Sequence, residues 1–417
     1  MKGRLLTAIG LATVILPGIT SAQNAVTEWN NIAVTTALAG NSAIPPNNPN
    51  GTALYLAYVH LAIHDAVNAI QHRYKPYGPA FTAPAGASLD AAVASAAYRM
   101  LQFHFPDQKD ALTTRYKYSL AVLPESGKLD GVTAGMTAAQ HIIDMRANDG
   151  HGANVPYTYP SVPTPSIWIP TPPAFAPPVT PWMGQMTPFT MSSASQFLPE
   201  PPFSLSSTEW ADDYNQTKAL GAMNSTVRTA QQTETALFWT DNAGAQYARA
   251  LRNLAGARNL GVIETARLFA LVWTSSADAL IGCWNAKFQY SLWRPVTAIR
   301  NGDIDGNPDT VPDPNWTPLA VTPGHPEYPS AHGCFTGAAA EALDQYFGNQ
   351  AFTFIVSSSV TNTVHEIRSA SELALELQNA RIWAGIHFHH AVVQGADLGR
   401  KVAQQAFQTF FQPESGR

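Results

Sequence analysis

Apolar residues recur at spacings of three and four through most of this 417-residue chain, the period of helices with one buried face. The stretches 52–72, 88–104, 128–147, 207–222, 227–257, 262–299, 332–346 and 366–409 all read this way and are rich in Ala and Leu, both strong helix formers. Strand-like alternation is scarce, and no repeat of roughly 20–50 residues is visible, so a solenoid is a poor fit. Charged residues make up 13% of the chain and apolar ones 45%, a balance suited to a heavily buried globule. The expected fold is all-α, a large helical-bundle globule in two halves, each like a four-helix bundle.

One segment breaks the helical pattern. Residues 156–202 hold 14 of the 32 prolines, interleaved with Trp168, Phe175, Trp182, Phe189 and Phe197. Proline at that density forbids a helix, and a disordered linker would be poor in aromatics. The segment therefore reads as an ordered, irregular strap packed on the helices. The expected divisions are an N-terminal helical half over 23–155, the strap over 156–205, and a C-terminal helical half over 206–417.

Residues 1–22 read as a cleaved leader. Lys2 and Arg4 precede an apolar run from Leu5 to Ile19, and Thr20, Ser21 and Ala22 offer a small-residue cleavage site. That run is shorter than the roughly 20 residues of a spanning helix. No other stretch reads as long enough to span, so a secreted or periplasmic protein without a membrane partner is expected. A net charge of −5 argues against a nucleic-acid binder, which normally carries a basic patch. The two cysteines, Cys283 and Cys334, are too few for a disulfide scaffold. In an oxidising compartment they could pair, and two buried free thiols are the equal alternative.

Three segments carry the candidate chemistry. In the first, Lys287 stands seven residues before Arg294. On a helix the two would share a face about 10.5 Å apart along the axis, letting a compact ammonium and a planar fork of donors lean over one anion. In the second, Pro329, Ser330, Ala331 and His332 lead into a helical run. A helix start presents free N–H groups to an anion, Ser330 adds a hydroxyl, and His332 could give or take a proton. In the third, Arg381 precedes His387, followed by His389 and His390. Such a tract also suits zinc, but no Cys or carboxylate stands at zinc-site spacing around it, and three cations would repel a divalent metal.

In order, these are Lys-x6-Arg-Pro, Pro-Ser-x-His and Arg-x5-His, and the chain thereby resembles the vanadium-dependent haloperoxidase and type 2 phosphatidic acid phosphatase superfamily. The resemblance is firmest over about 227–390 and more diffuse in the N-terminal half. It implies that Lys287, Arg294 and Arg381 neutralise the oxygens of vanadate or phosphate. Ser330 and the backbone N–H of Ala331 would add hydrogen bonds. His387 would bind vanadium, or attack phosphorus in a phosphatase, and His332 would be the general acid–base. The implied fold is helical, and the resemblance also allows a homo-oligomer.

Flanking residues favour the peroxidase, which would use vanadate, hydrogen peroxide and a halide, over a phosphatase acting on a phosphomonoester without vanadate. Trp293 completes the Trp-Arg-Pro form that haloperoxidases share, and Trp284 stands where they place an aromatic beside the halide. His325 occupies the position at which bromoperoxidases have histidine and chloroperoxidases phenylalanine, so bromide is the expected halide. Two departures stand out. Ala331 replaces the usual glycine, and Ala391 replaces an aspartate that many members carry four residues after the histidine, leaving open what orients His387. Asp241 could support an arginine. A non-catalytic oxyanion binder is a further alternative.

Elsewhere, His60, His64 and Asp65 read as an interior hydrogen-bonded group on a core helix, and Asp303, Asp305 and Asp309 as a loop lacking EF-hand spacing. Glu327, between two prolines, could tune the pocket or meet solvent.

Overall fold

A computed structural model describes residues 24–348 and 351–414; the leader read over 1–22 lies outside them. Five helices form the N-terminal half: α1 (Ala25–Leu38), α2 (Pro49–Gln71), α3 (Leu89–His104), α4 (Lys109–Ala121) and α5 (Lys128–Met145). After the strap come α6 (Thr208–Gly221), α7 (Ala230–Phe238), α8 (Ala243–Ala257), α9 (Val262–Tyr290), α10 (Pro295–Arg300) and α11 (Ala331–Phe347). An antiparallel hairpin, β1 (Phe354–Ser357) with β2 (Val364–Ile367), precedes α12 (Ala370–Trp383) and α13 (His389–Thr409). The all-α expectation holds.

Helix α2 lies at the centre, against α3 and α5 on one side and α9 on the other, so one apolar core runs through both halves. Asn48 caps α2, its side chain accepting from Asn50 and Gly51 N–H, with Pro49 in the first turn, the position proline tolerates best. By length and composition alone α2 is apolar enough to cross a membrane, contrary to the sequence reading. Its most apolar window is, however, entirely buried within the fold. Inside it, His60 Nε2 meets Asn30 Nδ2 at 2.9 Å and His64 Nδ1 meets Asp65 Oδ1 at 3.0 Å. Asp305, in the acidic loop, receives Asn307 N–H, the Thr310 hydroxyl and Trp210 Nε1–H.

Three long periodic stretches turn out to be broken, and the breaks matter more than the helices. The 262–299 stretch stops at Tyr290, where Ser291 turns left-handed at φ 51°; Arg294 is extended at ψ 156° and caps α10. Pro295 is the cause, because the residue before a proline is driven out of the helical region. Lys287 and Arg294 therefore do not share a helix face. The 227–257 stretch divides between α7 and α8, where Asn242 caps the second helix. The 366–409 stretch begins in β2 and breaks at Gly385, whose φ is +75°. Helices α1 and α4 and the hairpin had no clear periodic signal.

Helices α11 and α13 cross with backbones in near contact: a Cβ added at Gly337 would stand 2.3 Å from Ala396 O. That crossing fixes the start of α11 beside the residues just before α13.

The strap is anchored from within the core. Asp278 of α9 is fully buried and accepts from Phe189 N (2.7 Å), Thr190 N (2.6 Å), Thr190 Oγ1 (2.6 Å) and Met191 N (3.2 Å). Trp168, Trp182 and Phe189 are buried, whereas Phe175 is 62% exposed. Asp278→Ala would leave these N–H groups without acceptors and is expected to cost about 2–4 kcal/mol, read as a lower urea midpoint. A loss below about 1 kcal/mol would contradict the anchoring role.

Candidate active site

The breaks between helices bring the three motif segments together. Lys287 lies in the last turn of α9, Arg294 in the extended link to α10, Ser330 at the cap of α11, Arg381 near the end of α12, and His387 in the link to α13. All five are buried.

The cations are held by backbone oxygens. Lys287 Nζ donates to Pro326 O (2.8 Å) and Glu327 O (2.9 Å). Arg294 donates through Nε to His325 O (2.8 Å) and through Nη1 to Ile386 O (2.8 Å), while Nη1 also stands 3.2 Å from His387 Nε2. Arg381 Nη1 donates to Trp239 O (2.7 Å). Among the described residues, none of the three is within 4.0 Å of a carboxylate oxygen. Buried charge of one sign without a counter-ion is costly, so the site calls for an anion. Asp241 does not supply one, since it pairs with Arg249 at 3.3 Å.

Burial, opposed by the Cys283 thiol and reinforced by Arg294, lowers the Lys287 pKa to about 8. His325, His332 and His387 all sit well below the ordinary imidazole value, through burial first and then the surrounding cations. All three rings are therefore neutral at pH 7, as a metal ligand or general base must be.

Sequence reasoning left Glu327 unassigned; the structure puts it at the centre. Glu327 is fully buried; its Oε1 stands 2.8 Å from His387 Nδ1 and accepts from Phe388 N–H (3.0 Å). Burial raises its pKa to about 7, against the pull of Arg294 and Lys287. The one available clue was indirect: with Ala391 in place of aspartate, His387 needed another partner. Of the His tract, His387 alone enters the site; the His390 ring stacks on Phe203 with centroids 3.8 Å apart.

The remaining candidates fall into two groups. The Trp284 and His325 rings meet with centroids 4.9 Å apart, and His325 Nδ1 lies 2.9 Å from Arg294 Nη2. Trp293, expected in the halide pocket, instead joins an apolar cluster with Trp210, Tyr214 and Val296. Arg294 beside it is extended, and neighbouring side chains on an extended chain leave on opposite sides. Cys283 and Cys334 are free, buried thiols, and Cys283 Sγ donates to Pro329 O at 3.6 Å.

His332 and Arg381 open onto a cavity of about 530 Å³, walled by Leu237, Val321 and Ile386 on its apolar side and by Thr240, Asp241 and Asn242 on its polar side. Two polar atoms of these residues, His332 Nε2 and Arg381 Nε, have no partner. The Ala331 N–H, at the first position of α11, is one that no helical carbonyl reaches. Unpaired donors, surplus cations and a neutral imidazole are a donor set that fits a tetrahedral oxyanion such as vanadate.

Fold and site together define a predominantly helical protein with a buried cationic cluster suited to an oxyanion. A family model, VCPO second helical-bundle domain, matches residues 267–415. The vanadium chloroperoxidase of Curvularia inaequalis is 26% identical over a 496-residue alignment covering 90% of this chain and 80% of that protein. The first bacterial vanadium-dependent iodoperoxidase structure aligns at TM-score 0.77 and 22% identity, over 94% of this chain and 98% of that one. A holo-type bacterial vanadium-dependent chloroperoxidase aligns at TM-score 0.74 and 18% identity, over 93% and 97%. In its C-terminal sequence and in its fold the chain thus resembles the vanadium haloperoxidase superfamily.

Because Lys287 titrates near pH 8, anion affinity has a defined alkaline limit. Sulfate, which does not titrate in this range, is expected to bind about tenfold more weakly at about pH 9.5 than at about pH 7, by calorimetry. Lys287→Met should remove that dependence. A flat wild-type profile would refute the assignment of the Lys287 ammonium to the anion.

Proposed function

We propose that this protein is a vanadate-dependent haloperoxidase that oxidises halide, bromide in preference, with hydrogen peroxide to hypohalous acid. The observation that carries this reading is the set of three buried cations without counter-ions, of which Arg294 meets His387 Nε2 at 3.2 Å, together with the unpartnered His332 Nε2 and Arg381 Nε. Lys287, Arg294 and Arg381 would neutralise vanadate oxygens, the Ser330 hydroxyl and Ala331 N–H would donate to them, and His387 would be the vanadium ligand. When bound, vanadate supplies a Lewis-acid centre that activates peroxide towards halide without changing its own oxidation state.

The protein's part is placement and proton handling. His332, neutral for the reasons above, takes the peroxide proton at Nε2 and returns it later. Lys287, beside the Trp284 ring at 5.9 Å, withdraws electron density from the reacting oxygen. The Trp284 and His325 rings form the wall against which we place bromide. Their burial keeps water from competing with a weakly hydrated anion. The cavity beyond His332 is the route in and out, and the leader over 1–22 would direct export.

The test is vanadate-loaded protein with peroxide and a phenol reporter, in bromide and in chloride. Bromination is expected, faster than chlorination. His332→Ala should lower turnover by about 100-fold or more while vanadate still binds. Hydrolysis of a phosphomonoester with no peroxide-dependent bromination would overturn the proposal in favour of a phosphatase.

A further inference from the structure

We propose that Glu327 is a positioning residue for His387: its carboxylate holds the imidazole in the Nδ1–H tautomer and aims the Nε2 lone pair into the oxyanion pocket. This rests on the reading of His387 as the vanadium ligand. It supplies what the alanine at position 391 leaves missing.

The two ring nitrogens have partners of opposite kind. On one side, Nδ1 lies 2.8 Å from Glu327 Oε1, an oxygen whose acceptance of Phe388 N–H marks it as an acceptor. On the other, Nε2 lies 3.2 Å from Arg294 Nη1, and a guanidinium only donates. Each contact alone would call for Nδ1–H and an open Nε2, and both occur on one ring. The same Oε1 also accepts Phe388 N–H at 3.0 Å, so the backbone next to His387 is tied to the atom that orients its ring.

Glu327 is itself rigidly placed. Its N–H donates to Leu292 O at 2.9 Å, and its carbonyl accepts from Lys287 Nζ at 2.9 Å. One residue thus links Lys287, the strand-like stretch carrying Arg294, and His387 without side-chain freedom between them. Carboxylate–histidine–metal arrangements of this kind fix ring orientation and raise ligand basicity. The second oxygen, Oε2, is buried without a partner.

The experiment compares vanadate and sulfate binding in wild type, Glu327→Gln and Glu327→Met by calorimetry, with ¹⁵N NMR of the His387 ring in the wild type. Sulfate uses the cations but forms no bond to nitrogen. Glu327→Met is expected to weaken vanadate binding about 10- to 100-fold with sulfate affinity retained. Glu327→Gln, which keeps an acceptor oxygen, should restore most of the loss. The wild-type ring should show a protonated Nδ1 and an unprotonated Nε2. Equal loss for both anions, unchanged vanadate affinity in Glu327→Met, or a wild-type Nε2–H tautomer would each overturn the positioning role. A wild type that binds sulfate and vanadate alike would instead overturn the vanadium reading, and the NMR result would still decide the tautomer.

Discussion

Three cations buried without an anion are the constraint around which this molecule is arranged. Lys287, Arg294 and Arg381 have almost no contact with solvent and no carboxylate within ion-pair distance among the described residues. Carbonyl dipoles of Pro326, Glu327, His325, Ile386 and Trp239 take part of their hydrogen-bonding capacity. Dipoles do not neutralise charge, so the folded chain carries a standing preference for an oxyanion. Glu327 is the exception: it is spent on His387, whose Nδ1 it meets at 2.8 Å, while burial and the surrounding cations keep that ring neutral.

The helical shell makes that arrangement tolerable. None of the site cations sits in the middle of a helix face. Each lies at or near an end, where the chain turns and leaves carbonyls free to receive donors. The breaks at Ser291, Gly385 and the Ser330 cap converge because α11 and α13 cross at glycine-to-alanine contact. The strap, pinned by Asp278, closes the far side of α9 from Lys287 and supplies the Val179 carbonyl that holds Trp284 Nε1 at 3.1 Å. Architecture and electrostatics are thus the same problem solved once.

Much of this was legible in the residues. Periodicity marked most of the helices, proline and aromatics marked the strap, and three cation–histidine motifs in order marked the site. What periodicity could not register was interruption. An apolar pattern continues through Leu292 and Trp293 as smoothly as through a helix, and only Pro295 signals the break that frees Arg294. The same break turned Trp293 away from the site, where adjacency to Arg294 had suggested it would stay. Glu327 was hidden for a different reason. A single glutamate carries no pattern, and its partner stands 60 positions along the chain, a pairing that only the fold creates.

The most direct measurement is a crystal structure of the protein soaked in orthovanadate. Density for vanadium bonded to His387 Nε2, with its oxygens within hydrogen-bond reach of Lys287, Arg294 and Arg381, is the expected result. Vanadium bound elsewhere, or a His387 ring turned so that Nδ1 faces the pocket, would contradict it.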